Sequence, residues 1–332
     1  MKSIAIFNNK GGVGKTTLLC NLAAFLATES KKKVLVVDAD PQCNATQLTF
    51  TDEETEALYD NPKTFTIYNV IHPLSLGKGY TQDVRLLPRT EFNFDILIGD
   101  PRLSLKEDLL ARDWSQAMGG EGRGLRTSFL FAELLTRFRD YDYVFFDVGP
   151  SLGSINRSVL LACDYFISPM TIDIFSLKAV ENISVSIANW KKQLRTALEN
   201  LQDDDALPDN IDAALKIQFA GYVTQQCKAK TDGSGGYVAV QAYEKIMRRV
   251  APAIRSHFVE KLQPSNRNLD YQLGTIPNLF SLIPMAQFAR RPIFALRATD
   301  GVRGAHFSKV KDAHALFKGI ALKLEANIRR LG

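Results

Sequence analysis

Short runs of consecutive apolar residues recur along the chain, separated by segments whose apolar positions follow helical spacing. The first run, Ile4-Ala5-Ile6-Phe7, predicts a strand over residues 3–8. A glycine loop follows, and then Leu18, Leu19, Leu22, Phe25 and Leu26 fall on one helical face. After Lys31-Lys32-Lys33, the run Val34-Leu35-Val36-Val37 is apolar on both faces, the pattern of a parallel strand covered by helices on either side. Further strands are predicted at 143–146 running into Asp147, at 165–168 ending at Pro169, at 217–223 and at 273–276. Helical segments lie around 176–200, 238–262 and 308–330. This alternation predicts an α/β fold with one doubly wound, mostly parallel sheet and helices on both faces, in a single domain over residues 1–332.

Residues 50–125 are more polar and break the pattern, with one short extended piece at 95–98 and a glycine-rich loop at 119–124. A second loop, expected to be flexible, is Lys228-Ala229-Lys230-Thr231-Asp232-Gly233-Ser234-Gly235-Gly236. The apolar pattern of the same sheet resumes after each, so neither reads as a domain linker. No window approaches the ~18 apolar residues of a membrane span, and Met1-Lys2 leads into the first strand without a cleavage-site pattern. Cys20, Cys43, Cys163 and Cys227 are scattered, with no Cys-x-x-Cys and no histidine at metal-ligand spacing. The reading is a cytoplasmic protein with reduced thiols.

Charge adds a partner class. The net charge is +5, yet the chain from Lys245 onward holds 16 Lys+Arg against 5 Asp+Glu, which leaves the first 244 residues at −6. A basic C-terminal region (245–332) on a mildly acidic body attracts polyanions, either nucleic acid or an anionic membrane surface.

The chemistry sits between the first strand and its helix. Gly14-Lys15-Thr16 completes the phosphate-loop pattern G-x-x-x-x-G-K-[ST], with Asn9 where the first glycine usually stands. Backbone N–H groups of residues 11–16 converge there at the positive end of a helix, which suits phosphate oxygens. Lys15 is placed to neutralise β- and γ-phosphates, the Thr16 hydroxyl to ligate Mg²⁺, and Thr17 to extend the cradle toward the α-phosphate. Carboxylates at neighbouring strand ends complete such a site: Asp38 and Asp40 after the second strand, and Asp147 after the third.

Together these residues resemble the ParA/MinD family of deviant-Walker ATPases. Its loop K-G-G-x-x-K-[ST] matches Lys10-Gly11-Gly12-Val13-Gly14-Lys15-Thr16. Its second motif, D-x-D-P-Q-x-N-A-T, matches residues 38–46, and its third, close to D-x-P-P-S-L-G, matches residues 147–153 with Gly149 in place of a proline. Weaker similarity covers 94–110, Ile276-Pro277-Asn278, and Arg291-Pro292-Ile293 with Gly301 and the last helix. The resemblance implies a P-loop NTPase fold of the SIMIBI type, with ATP and Mg²⁺ as cofactors. It implies that Lys15 serves the protein's own nucleotide, and that Lys10 reaches a partner copy's phosphates in an ATP-state homodimer. It further implies that Asp40 positions the attacking water, that Asp38 and Asp147 support Mg²⁺, and that Pro277 and Asn278 lie against adenine.

Relatives of this outline bind duplex DNA nonspecifically as ATP dimers and position cargo with a ParB-like or other activating protein. Arg248, Arg249, Arg255, Lys261, Arg290, Arg291 and Arg303 are the candidate DNA contacts, because phosphate neutralisation needs no sequence readout. A MinD-like membrane regulator is the competing class. Its helix would use the stripe Leu316, Phe317, Ile320, Leu324, Ile328 and Leu331, which the family's last helix instead packs on the sheet. An ATPase subunit of a specialised defence or secretion system shares the same core. A metal-cluster carrier needs paired cysteines that these spacings do not supply.

Overall fold

The computed structural model describes residues 1–201, 207, 215–227, 230–231, 237–238, 241–266, 268–279 and 281–332. Among them the strands are β1 (Lys2–Ile6), β2 (Val34–Asp38), β3 (Leu87–Arg89), β4 (Phe94–Leu97), β5 (Tyr143–Asp147), β6 (Tyr165–Thr171), β7 (Gln218–Cys227), β8 (Lys230–Thr231), β9 (Tyr237–Val238) and β10 (Gln272–Pro277). One sheet runs in the order β10-β7-β6-β1-β5-β2-β4-β3, and β8 pairs with β9 apart from it. Within the large sheet β3 is antiparallel to β4, while the other neighbours are parallel. The doubly wound parallel sheet is therefore present as expected.

β2 and β5 are buried along their whole length, which is why their sequences run apolar without alternation. In β1 and just beyond it, Ile4 and Ile6 enter the core of one face, whereas Ala5 and Phe7 enter that of the other. Helix Lys15–Thr28 crosses from β1 to β2 over the first face, and helix Ser154–Ala162 returns from β5 to β6 over the second. Connections leave β1 and β5 toward opposite faces, so a crevice opens above their carboxyl ends.

The final helix, His306–Leu331, belongs to the same core as helix Lys15–Thr28. Phe317, Ile320, Leu324, Ile328 and Leu331 are buried there, and Leu316 packs partly buried beside them. The stripe that a membrane would have taken is thus occupied by the sheet.

Segment 50–125 holds more regular structure than its polarity implies. Helix Asp52–Asp60 starts with a capping box from Thr51 and Glu54, and helix Ile67–Ser75 carries Pro73 inside it. The expected glycine loop at 119–124 is shorter than predicted, because Gly122 opens helix Gly122–Ser128. Gly124 lies so close to Asp113 and Ala117 that no side chain fits there, which lets this helix pack onto helix Glu107–Met118. The helix predicted over 238–262 runs from Gln241 to Ile254 and continues through a π-helical turn, Arg255–Val259, into Glu260–Leu262. Apart from β8, the flexible loop expected at 228–236 lies outside the described residues, as do 239–240.

Burial of the last helix makes a direct prediction. Phe317→Ala should destabilise the protein by about 3–5 kcal/mol, whereas Leu322→Ala, at a position 56% exposed, should stay within about 0.5 kcal/mol. Urea unfolding of both variants checks it, and a mild effect at Phe317 contradicts the packing described.

Candidate nucleotide site

The parallel register levels the ends of three strands: Asp147 pairs with Ile6 on one side and with Asp38 on the other. The chain leaving β1 must turn over these carboxylates before helix Lys15–Thr28 begins. Asn8 anchors that turn, its Nδ2 donating to the Pro169 carbonyl at 2.7 Å while its Oδ1 accepts from the Lys10 N–H at 3.0 Å. Gly14, immediately before the helix, has φ 74°, a left-handed value that a side chain disfavours.

Above the turn lies a cleft of about 460 Å³, lined by residues 11–17, Asp40, Pro150 and Arg290 among others. A second cleft of about 400 Å³ shares Gly12, Gly14 and Thr17 with it, and is walled by Leu18, Ile276, Pro277, Asn278 and Leu279. One compartment is polar and begins at a helix N-terminus, and the adjoining one is largely apolar. The pair has the chemical shape of a nucleotide, phosphates at one end and a base at the other. Gln225, which the motifs did not reveal, joins the second cleft and donates from Nε2 to the Gly14 carbonyl at 3.3 Å.

Electrostatics concentrate beneath the loop. Lys15 is 8% exposed; burial lowers its pKa, and the charges of Asp147 and Asp40 oppose that drop. Thr16 Oγ1 donates to Asp147 Oδ2 at 2.7 Å, while Asp147 Oδ1 is buried with no partner. Burial, followed by the neighbouring Asp38 charge, raises the Asp147 pKa. Asp38 Oδ2 accepts from the Thr46 N–H at 2.8 Å and from Thr46 Oγ1 at 2.6 Å. Burial nevertheless pushes Asp38 up to about 7, against the pull of the Thr46 hydrogen bonds. Asp40 Oδ1 accepts from the Gln42 N–H at 3.0 Å, and Asp40 lines the cleft.

The donor set fits Mg²⁺ delivered with a triphosphate. An orphaned carboxylate oxygen stands beside a threonine hydroxyl, and Cβ atoms built at Gly11 or Gly12 would meet nothing within 4 Å. Among the described residues no cluster of three or more His, Cys, Asp or Glu side chains forms a metal site by itself.

Lys10 does not line the cleft. Its Nζ pairs with Asp173 and donates to Thr171 Oγ1 at 2.9 Å, at the rim where helix Ile174–Glu199 begins. Asp173 also caps that helix, accepting from the Ser176 N–H at 3.0 Å. Neither this cap nor its contact with Lys10 was anticipated from the sequence.

The expected DNA contacts divide into two groups. Arg248, Arg249, Arg255 and Lys261 are exposed along helix Gln241–Ile254 and its continuation, and Arg303 is exposed ahead of the last helix. Arg290 and Arg291 face inward instead. Arg290 donates to the Gln47 carbonyl at 2.7 Å and to Asp52 at 2.8 Å, and Arg291, 15% exposed, pairs with Glu91 at 2.8 Å and faces Asp300 at 3.6 Å. A phosphate would have to displace these carboxylate partners to reach either guanidinium, which sets both apart from the exposed group.

Known proteins resemble this chain in sequence and fold. The AAA domain family AAA_31 matches residues 1–200. The chromosome partitioning protein ParA of Myxococcus xanthus is 31% identical over 254 residues, covering 74% of this chain and 75% of its own. The chain belongs to the ParA family of P-loop ATPases. A crystal structure of a Corynebacterium diphtheriae protein resembles this ParA-family fold with a TM-score of 0.71 and 32% identity, over 87% of this chain and 97% of that one. A Borrelia burgdorferi plasmid partition protein bound to AMPPNP shares the fold at a TM-score of 0.59 and 20% identity, over 97% and 98% of the two chains.

Asp38 gives this ParA-family site a pH signature. Its carboxyl ionises near 7 when folded against 3.8 ordinarily, so folding takes up a proton in that window, and the stabilisation is lost as pH rises through about 7. Nucleotide-free Asp38→Asn protein cannot make this transition. Its melting temperature should change less than the wild type's between about pH 5 and pH 8, and superimposable profiles contradict the assignment.

Proposed function

We propose that the protein is an ATP-dependent dimerising switch that hydrolyses ATP slowly and binds duplex DNA without sequence preference. In this reading it positions DNA or protein cargo from the cytoplasm, with a stimulating partner. The observation that carries the proposal is the separation of two lysines on one loop. Lys15 is buried over the carboxylates at the phosphate end, while Lys10 stands at the rim outside the cleft. A lysine so placed, paired with Asp173, holds no phosphate of its own copy, and a second copy docked face to face would supply one in exchange for that pairing.

Within the cleft, N–H groups of residues 11–16 and the Lys15 ammonium hold the phosphates, and Thr17 extends the cradle. Thr16 and Asp147 would hold Mg²⁺, with Asp38 behind them fixed by Thr46. Bound Mg²⁺ supplies neutralisation of phosphate charge. Asp40 orients the attacking water, and Pro277 and Asn278 receive the base. The Myxococcus relative is named for chromosome partitioning, which supports the cargo reading. Exposed cations on helix Gln241–Ile254 and its continuation supply the DNA face: Arg248 is 82% and Arg255 65% exposed, and their 3.5 Å pairs with Glu244 and Glu260 are too open to hold them from phosphate. No helix among the described residues is long and apolar enough to cross a membrane, and the apolar stripe of the last helix is in the core.

Gel-shift and anisotropy titrations test the DNA output. ATP, but not ADP, should give salt-sensitive binding to arbitrary duplexes, and Asp40→Ala should hold that state. Reversing Arg249 and Arg255 to Glu should weaken binding equally on unrelated sequences and lower the log–log salt slope by about one for each phosphate left unneutralised. Dimers that form with ATP yet ignore DNA at low salt contradict this output and favour a specialised partner.

The two lysines separate in kinetics. Lys15→Ala should lose ATP affinity by about tenfold or more, whereas Lys10→Ala should keep ATP affinity and lose hydrolysis. Binding of a fluorescent ATP analogue beside steady-state phosphate release checks the split. Equal loss of affinity in both variants contradicts it.

A further inference from the structure

We infer that Asn156 is a positioning residue for ATP hydrolysis: its carboxamide fixes residues 149–151 against Asp40, and Glu107 seats the helix that carries it. The inference rests on reading Asp40 as the carboxylate that orients water.

Asn156 lies in helix Ser154–Ala162 and is 2% exposed. A buried amide is costly unless its hydrogens are used, and here both find one loop. Nδ2 donates to the Gly149 carbonyl at 2.8 Å and to the Ser151 carbonyl at 2.6 Å. That loop leaves Asp147 directly, so one end is held by β5 and the other by this side chain.

The loop forms a wall beside Asp40. A Cβ built on Gly149 would stand 3.3 Å from Asp40 Oδ1 and 3.6 Å from its Cγ, and Pro150 lines the nucleotide cleft. The Asp40 carboxylate accepts hydrogen bonds from Gln42 and Asn44, both within its own turn, so the wall at Gly149 is what another strand contributes. Glycine has no side chain to limit its backbone, so the wall does not hold itself in place. Asn156 supplies that restraint from behind.

The helix bearing Asn156 is seated in turn by helix Glu107–Met118. The Glu107 carboxylate accepts from the Ser154 N–H and, at 3.3 Å, from the Ile155 N–H, capping the first turn. The Arg157 guanidinium lies 4.2 Å over the Trp114 ring, and Nη2 reaches the Leu110 carbonyl at 3.5 Å. Both the start and the flank of the helix are thereby gripped, and Asn156 has a fixed base from which to hold the loop.

Full-length Asn156→Ala protein is assayed for ATP hydrolysis at saturating Mg-ATP, for ATP affinity and for thermal unfolding. The expected result is a fall in kcat of about tenfold with ATP Kd within about twofold of wild type. The split between a lowered kcat and an unchanged ATP Kd is the readout that a general loosening of the fold would not reproduce. Asn156→Ser, which keeps one short donor, should fall between wild type and alanine, and provides the test if the alanine variant does not fold. Wild-type kcat in either folded variant overturns the inference. When Asp40→Ala has lost hydrolysis, that result overturns the Asn156 assignment alone; wild-type hydrolysis by Asp40→Ala overturns the underlying reading of Asp40 as well.

Discussion

Two carboxylates buried side by side at the ends of parallel strands are the constraint on which this molecule turns. Asp38 and Asp147 are paired in register, both fully buried, and Asp147 keeps one oxygen without a partner. Buried negative charge of this kind is unfavourable unless cations or donors meet it. Thr46 answers Asp38, and Lys15 and Thr16 answer Asp147, whose Oδ1 has no hydrogen-bond partner. The sheet order, the loop above it and the helix that begins at Lys15 all serve to keep this pair in place.

The order of the sheet explains why so much chemistry meets there. β1 is central, with β5 on one side and β6 on the other, so loops from both come to the loop after β1. From β6 come the Pro169 carbonyl that anchors Asn8 and the Thr171 and Asp173 groups that hold Lys10. From β5 comes the wall at Gly149 beside Asp40. Cleft and rim are thus built from separate strands, and the two lysines of one short loop are divided between them.

Much of this was legible in residue order. Strands such as 34–37 and 143–146 declared themselves because a strand buried on both faces has no polar alternation to obscure it. The phosphate loop and the carboxylates at strand ends were legible because their spacing follows directly from the chemistry. Less legible were elements that depend on local capping or close approach, such as helix Asp52–Asp60, whose buried face is slight, and helix Gly122–Ser128, whose glycines let it pack against its neighbour. β3 is three residues long and includes Pro88, too little for periodicity to register. Contacts that leave no mark on periodicity, Asn156 with the loop just before its helix and Arg291 with nearby Asp300 and distant Glu91, follow only from the fold. Basic charge alone did not separate exposed arginines with loose pairs from the less exposed ones held by closer carboxylates.

The central claim is that a nucleotide held by one copy is read by Lys10 of another. Sedimentation velocity of the Asp40→Ala protein with Mg²⁺ tests it most directly. ATP should convert the 37.0 kDa chain to a species of twice that mass, ADP should not, and adding Lys10→Ala should abolish the change. A dimer that forms equally with ADP, or that persists with ATP after Lys10 is removed, contradicts the account.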